Sequence, residues 1–309
     1  MNDKKKEPLF HIVKRDALPW YQSVGIRAIA IVLALIVCAV VTMILTGTNP
    51  IQVFQSIIAG AFGSARKTWI TFQNIAILLL ISLALTPAFK MKFWNIGGEG
   101  QVLIGGLASA ACMICLAEKL PAALVVVCMI VTSIAAGAFW AFIPAFFKAK
   151  WNTNETLSTL MMNYIATQLV AFFTIVWEVP KGSGKIGIIN QNSNVGWLPQ
   201  AFGSKYLLSI LVAVLITVFM YIYLKYSKHG YEISVVGESE NTAKYVGIKV
   251  EKVIMRTMAL SGAVCGLVGL LLVGGINHTI TTTIAGGQGF TAVMVSWMSK
   301  FNPLTMGFS

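Results

Sequence analysis

The stretch FWNIGGEGQVLIGG, from Phe93 to Gly106, sets the carboxylate of Glu99 and the amides of Asn95 and Gln101 among five glycines in one of the most apolar parts of the chain. A carboxylate in hydrocarbon costs several kcal/mol unless it faces a cavity or a partner. Glycines let a backbone bend or approach a neighbour closely. The combination predicts a helix that starts or breaks inside an apolar region, with Asn95, Glu99 and Gln101 turned to an interior path or to other helices. A second reading puts Glu99 at the mouth of a helix, reaching toward water and capping the helix that follows. A related stretch, NTNETLSTLMMNY (152–164), opens with Asn154 or Thr153 as a candidate cap and Glu155 in the first turn. It carries Asn163 and Tyr164 into an apolar run, where they either line the same path or serve as hydrogen-bonding glue between helices.

Two further stretches suggest assembly and not reaction. The segment 225–256 mixes charges with Val235, Val236, Ala243, Val246 and Ile248, and residues 239–247 predict a short helix ended by Gly247. Its apolar face, shown to water, is expected to dock a soluble partner. In LSGAVCGLVGLLLVGG (260–275), Gly262 and Gly266 form G-x-x-x-G with Gly269 one turn on, a pattern for close helix contact.

Other candidates dissolve on inspection. His11, His229 and His278 lack metal-ligand spacing, and there is no nucleophile–base pair and no pair of catalytic carboxylates. Cys112 and Cys115 form C-x-x-C, but within ASAACMICLA they read as small buried hydrophobes. GSGKIG (182–187) matches G-x-G-x-x-G, yet an apolar run and Pro180 precede it where a strand is required. The phosphate-loop pattern fails too, since Val179 occupies the first glycine position and Ile186 follows Lys185. The chain is therefore expected to have no catalytic residue, no ATP site, no metal and no cofactor of its own.

The elements that hold these residues follow from composition. Of 309 residues, 57% are hydrophobic and 11% charged, with a mean hydropathy of +0.77. Soluble chains carry roughly 25% charged residues, so the chain reads as an all-α, polytopic membrane protein. Apolar runs lie near 29–46, 70–89, 96–117, 121–147, 156–177, 205–224, 254–276 and 287–299, which predicts eight to nine transmembrane helices. The first run lacks a small-residue cleavage site after it and reads as a retained span. The amphipathic 47–69 segment is expected to lie on the outer surface or dip into the membrane. The 178–204 stretch, rich in Gly, Asn, Ser and Gln, reads as a solvated outer loop.

The net charge of +12 would fit nucleic acid in a soluble protein, but here topology explains it. With the N-terminus inside, 17 of the 23 Lys and Arg fall in cytoplasmic segments, as the positive-inside rule demands. The domain reading is a cytoplasmic segment 1–28 and a transmembrane domain 29–309, with 225–256 cytoplasmic and no nucleic-acid partner.

The order NIGGEGQ (95–101), NETLSTLMMNYIA (154–166), VGESENTAKYVGI (236–248), LSGAVCGLVG (260–269) and GGQGFTAVMVSWMSKFNP (286–303) resembles permease subunits of bacterial ABC importers. The branch is that of branched-chain amino acid and ribose permeases, nearest the nucleoside and simple-sugar subgroup. The resemblance implies the importer permease fold in the bacterial cell membrane, surrounded by lipid. It implies a second permease subunit completing a heterodimer, cytoplasmic ATPase subunits, and an outer-face lipoprotein delivering a nucleoside, or ribose or another simple sugar. It turns 236–248 into the ATPase-coupling element, with Gly237, Glu238, Asn241, Ala243, Lys244 and Gly247 as its candidate residues. Family members continue past GF…NP through one or two further spans, so a chain ending at Ser309 is expected to lack final helices or be truncated. A distant alternative, outside this family, is an ion-coupled transporter using Glu99.

Overall fold

A computed structural model describes residues 20–200 and 203–307, and every regular element among them is helical. Residues 1–19, most of the expected cytoplasmic segment 1–28, lie outside the described residues, as does Ser309. Two compact units divide at Lys67 and Thr68.

The first unit holds α1 (Trp20–Thr46) and α2 (Pro50–Phe62). The apolar 19 residues Ala28–Thr46 of α1 are long enough to cross a membrane. Gly47, at φ +64, ends the chain's helical path. Asn49 then caps α2, its Oδ1 accepting from Ile51 N at 3.0 Å, and Pro50 occupies the first turn, where no amide donor is needed. With 13 residues α2 is too short to span.

The second unit is built from α3 (Ala65–Lys90, entering it at Thr68), α4 (Gly98–Leu116), α5 (Ala122–Trp151), α6 (Glu155–Val176) and α7 (Leu207–Tyr226), then α8 (Lys228–Glu238) and α9 (Glu240–Tyr245), and finally α10 (Val250–Leu270), α11 (Gln288–Met298) and α12 (Pro303–Met306). A π-helical segment, Leu271–Asn277, prolongs α10. At its centre α4, α5 and α10 pass close enough for backbone to meet backbone. A Cβ on Gly137 would strike the Gly262 carbonyl, one on Gly266 the Ser133 carbonyl, and one on Gly105 the Gly266 Cα. Gly269 meets the Val102 carbonyl and the Gly106 amide in the same way. In lipid, where burying apolar surface gives helices no reason to associate, such close van der Waals approach is the main attraction available. The glycines of the 260–269 stretch thus lie in the tightest crossings of the fold.

Seven helices among the described residues are long and apolar enough to span, fewer than the eight to nine expected. The run at 287–299 accounts for the difference. Gly286 and Gly287 both have positive φ, and so do Lys300 and Phe301, so α11 is confined to 11 residues, roughly 16 Å at 1.5 Å per residue. That is about half a bilayer core.

Two expectations about loops need correction. The 225–256 segment does make a short helix, α9, started by Ser239 Oγ accepting from Thr242 N at 3.2 Å and followed by Gly247 at φ +82. Its apolar side, however, faces inward. Val236 and Ala243 are buried with Met91, Phe93, Ile233, Ile254 and Met258, because a helix this short needs the body of the protein to hold it. Tyr245 (92% exposed) and Val246 (57%) are what it leaves outside.

The 178–204 connection is only partly solvated. Ile186 and Ile189 are buried against Met113 and Met129, and Asn190 Nδ2 donates to the Met113 carbonyl at 2.8 Å. The Ile and Trp side chains spaced among its polar residues supply the anchor that composition alone hides. The turn at 182–184 is held differently, by Glu178, whose oxygens accept from Gly182 N (2.7 Å) and Gly184 N (2.8 Å). Those two bonds, ahead of the nearby Lys181, hold the Glu178 carboxyl below its ordinary value. A lowered folded-state pKa stabilises above the unfolded value and is lost as pH falls through the folded one. Amide exchange at Gly182 and Gly184 is therefore expected to stay slow at neutral pH and to lose its protection only below the ordinary carboxylate range.

Candidate functional site

After Lys90 the chain leaves α3 and runs without regular structure to Gly97, where α4 begins. Gly98 lies against Leu85 and Ile81 of α3, so α4 starts inside the bundle and not at its end. A helix start there leaves backbone donors with no water to bind. Asn95 in the connection itself and two side chains of α6 meet the need. Asn95 Oδ1 accepts from Gly97 N at 3.0 Å, Thr159 Oγ1 of α6 from Ile96 N at 3.2 Å, and Asn163 Oδ1 of α6 from Gly100 N at 2.9 Å. Asn163 Nδ2 donates back to the Ile96 carbonyl at 2.9 Å. Asn95 Nδ2 donates to Ser261 Oγ of α10 at 3.1 Å, and Gln101 Nε2 to Asn95 Oδ1 at 3.1 Å. Gly100 has no side chain because Asn163 fills the space.

Glu99 makes the central contact. Its Oε1 accepts from Gly287 N at 2.9 Å and its Oε2 from Gly289 N at 2.8 Å, so one carboxylate clasps the N-terminus of α11. Glu99 also stands in the first turn of α4. Two helix N-termini, each with a partial positive charge, converge on it. Charge-assisted bonds to backbone amides are among the strong ones. They offset the cost of drawing a half-buried carboxylate partly out of water. Gly289 must be glycine, since a Cβ there would run into the Glu99 backbone and Oε2.

The structure thus brings Asn95, Gln101 and Asn163 into one hydrogen-bonded knot at the start of α4, with Glu99 in the same turn clasping α11 instead. Tyr164 is apart from it and 68% exposed. Within the knot, Gln101 Oε1 and, in the first turn of α11, Gln288 Oε1 are buried acceptors without a partner among the described residues. Sequence reasoning missed Thr159, Ser261 and the α11 glycines. The signal available was the echo of GGEGQ in GGQGF, two glycine-framed helix starts that need each other.

At the opposite end of α4 and α10 the helices carry little charge, whereas Lys90, Lys148, Lys225, Lys249 and Arg256 gather where α3, α5 and α7 end and α10 begins. Lys148 and Glu155 pair at 2.9 Å there, as do Arg256 and Glu232. In α8–α9, Glu238, Asn241, Lys244 and Gly247 are exposed, while Gly237 is buried with its Cα facing the Lys90 carbonyl. Among the described residues no three His, Cys, Asp or Glu side chains group as a metal site would require.

Residues 68–308 match the family described as branched-chain amino acid transport system / permease component. The chain is 32% identical over 272 residues to the guanosine ABC transporter permease protein NupP of Bacillus subtilis, covering 87% of this chain and 77% of that one. It is 26% identical over 297 residues to the nucleoside ABC transporter permease protein NupB of Lactococcus lactis (93% and 81% covered). The glucose ABC transporter permease protein TsgB13 of Haloferax volcanii is likewise 26% identical over 297 residues (93% and 77%). No solved structure matches.

Proposed function

The chain belongs to the permease components of the branched-chain amino acid transport family, a multi-pass membrane protein without a catalytic site, and from that premise we propose that it forms the membrane path of an ATP-driven nucleoside importer. The observation that carries the cargo is its 32% identity to a guanosine permease protein across most of both chains. The similarity to a glucose permease protein supports a second reading, the same mechanism with a simple sugar as cargo.

In this reading the lysine-rich helix ends face the cytoplasm, by the positive-inside rule, and the N-terminal segment lies with them. The 225–256 segment is the ATPase-docking element, and 178–204 faces the binding lipoprotein outside. A second permease subunit completes the path. Within 236–248, Gly237 and Ala243 set α8 and α9 against the body, and Glu238, Asn241, Lys244, Tyr245 and Val246 offer the surface an ATPase would grip. The polar knot and the Glu99 clasp fix where α4 and α11 begin, and the two free amide oxygens there are the acceptors they could offer to cargo. Both oxygens of Glu99 are already engaged, which speaks against an ion-coupled role for it.

Reconstitution with its ATPase, second permease and receptor is expected to give ATP-dependent guanosine uptake. Uptake of guanosine without any ATPase, or of glucose alone, would overturn the nucleoside importer reading. Within that system, Tyr245→Glu is expected to lower uptake about tenfold, as the loss of roughly 1.4 kcal/mol of interface energy would, and leave the melting temperature unchanged. Ala243→Glu is expected to lower both, because Ala243 is buried.

A further inference from the structure

A cavity of about 290 Å³ lies at the end of the bundle away from the lysine-rich helix ends. It is lined by Trp197, Leu198, Pro199, Gln200, Lys205, Leu208, Gly275 and His278. The size falls at the low end of small-molecule sites. One wall is a pair of stacked rings. The Trp197 indole and the His278 imidazole stack face to face, centroids 3.8 Å apart and planes 6° from parallel.

The indole is held by its own nitrogen, and the residue carrying the imidazole by its backbone carbonyl. Trp197 Nε1 donates to the Ile189 carbonyl at 2.9 Å, Ile189 N donates to the His278 carbonyl at 2.8 Å, and Leu198 N donates to the Gly274 carbonyl at 2.9 Å. These bonds lash the 178–204 connection to the π-helical end of α10. A π-turn inside an α-helix frequently marks a functional position. Burial first, and the charge of Lys205 second, hold His278 below the ordinary imidazole value, so the stacked ring is neutral near pH 7.

A flat aromatic wall, aliphatic sides from Leu198 and Leu208, and directional polar groups on Gln200, Lys205 and His278 suit one chemistry. They suit a neutral planar heterocycle with hydrogen-bonding edges. A sugar can also lay its C–H face on an indole, but only a planar heterocycle adds ring-on-ring overlap with that wall to the same polar contacts. Gly275 supplies the floor: a Cβ there would meet only Leu198 Cδ1, at 3.5 Å.

We propose that this cavity is an entry subsite where the nucleobase of an incoming nucleoside stacks against the Trp197–His278 wall before it reaches the path beyond. The inference rests on the nucleoside reading above and adds the place and mode of first contact.

The test is equilibrium binding of radiolabelled guanosine to the full chain in lipid nanodiscs, with ribose as competitor, beside guanosine uptake by the assembled importer. Saturable guanosine binding that ribose does not displace is expected. Trp197→Ala should weaken it about tenfold, within the range found for removing an aromatic partner from a base. Trp197→Phe should restore most of it. Gly275→Leu, whose Cβ would meet only Leu198 Cδ1 and whose side chain enters the cavity, should abolish it while the melting temperature holds. Binding that is absent, or indifferent to Gly275→Leu and Trp197→Ala, overturns the subsite if the importer still takes up guanosine. Displacement by ribose as effective as by guanosine overturns base stacking. Failure of uptake by the assembled importer refutes the nucleoside reading itself, whatever the cavity does.

Discussion

Replacing Glu99 by Ala is expected to reduce guanosine uptake about a hundredfold. The carboxylate accepts from Gly287 N and Gly289 N, and no other group among the described residues is seen to bind either amide. Each buried donor left without an acceptor costs about 1–3 kcal/mol. Two of them together reach roughly 2.7 kcal/mol, which is a hundredfold in an equilibrium constant. The energy falls on one element, because α11 is short and its start is fixed by this contact. Amide exchange at Gly287 and Gly289 should therefore rise sharply in Glu99→Ala, while exchange in the middle of α10 should not.

The conservative variants sharpen the expectation. Gln keeps the shape but offers one acceptor oxygen, and its NH2 would confront the second backbone N–H. Asp keeps the charge but is one methylene short, so it cannot reach both amides. Both should fall between wild type and Ala. If Glu99→Gln alone matched wild type in uptake and in exchange at Gly287 and Gly289, the clasp would have no part in transport.

Gly266→Ala is expected to do more damage to the fold than any surface change. A Cβ at this position would meet the Ser133 carbonyl of α5, and on the other side the Gly266 Cα is already against Gly105 of α4. A rigid helix backbone cannot give way as a flexible side chain end could. The three helices would have to separate, and their contacts with one another are the centre of the second unit. Loss of about 4–5 kcal/mol or more is expected, the exceptional end of the range for one substitution. The readout is folded protein recovered from membranes and its melting temperature. Gly60→Ala in α2 is the control: a Cβ there meets nothing within 4 Å, and removing a helix glycine should stabilise by about 0.5–1 kcal/mol. If Gly266→Ala melted like wild type, the close crossing would be wrong.

Much of this was legible in the residues. A charged fraction of 11% and eight apolar runs, seven of which become helices long enough to span, leave little choice but a helical membrane protein. G-x-x-x-G at 262–266 pointed to close contact because glycine has one simple reason to recur at that spacing in lipid. The broken start at 95–101 was visible as well, since a costly carboxylate beside glycines signals a helix end that needs a partner.

What was not legible was who the partner is. Asn163 reads as path or as glue in one sequence window, and only its 2.9 Å bond to Gly100 N shows that it caps another helix. The same holds for α9, whose apolar side could equally face a neighbour or its own body until Met91 and Ile254 are seen beneath it.

Taken alone, then, the amino-acid sequence determined the solvent, the helices and the order of the motifs, because hydropathy and glycine spacing act over a few turns. Only the tertiary structure decided that Glu99 belongs to α11, 188 residues away along the chain from its first partner. Hydrogen bonds that satisfy a helix end inside a membrane are made by whatever the fold brings within about 3 Å, and no local pattern records that distance.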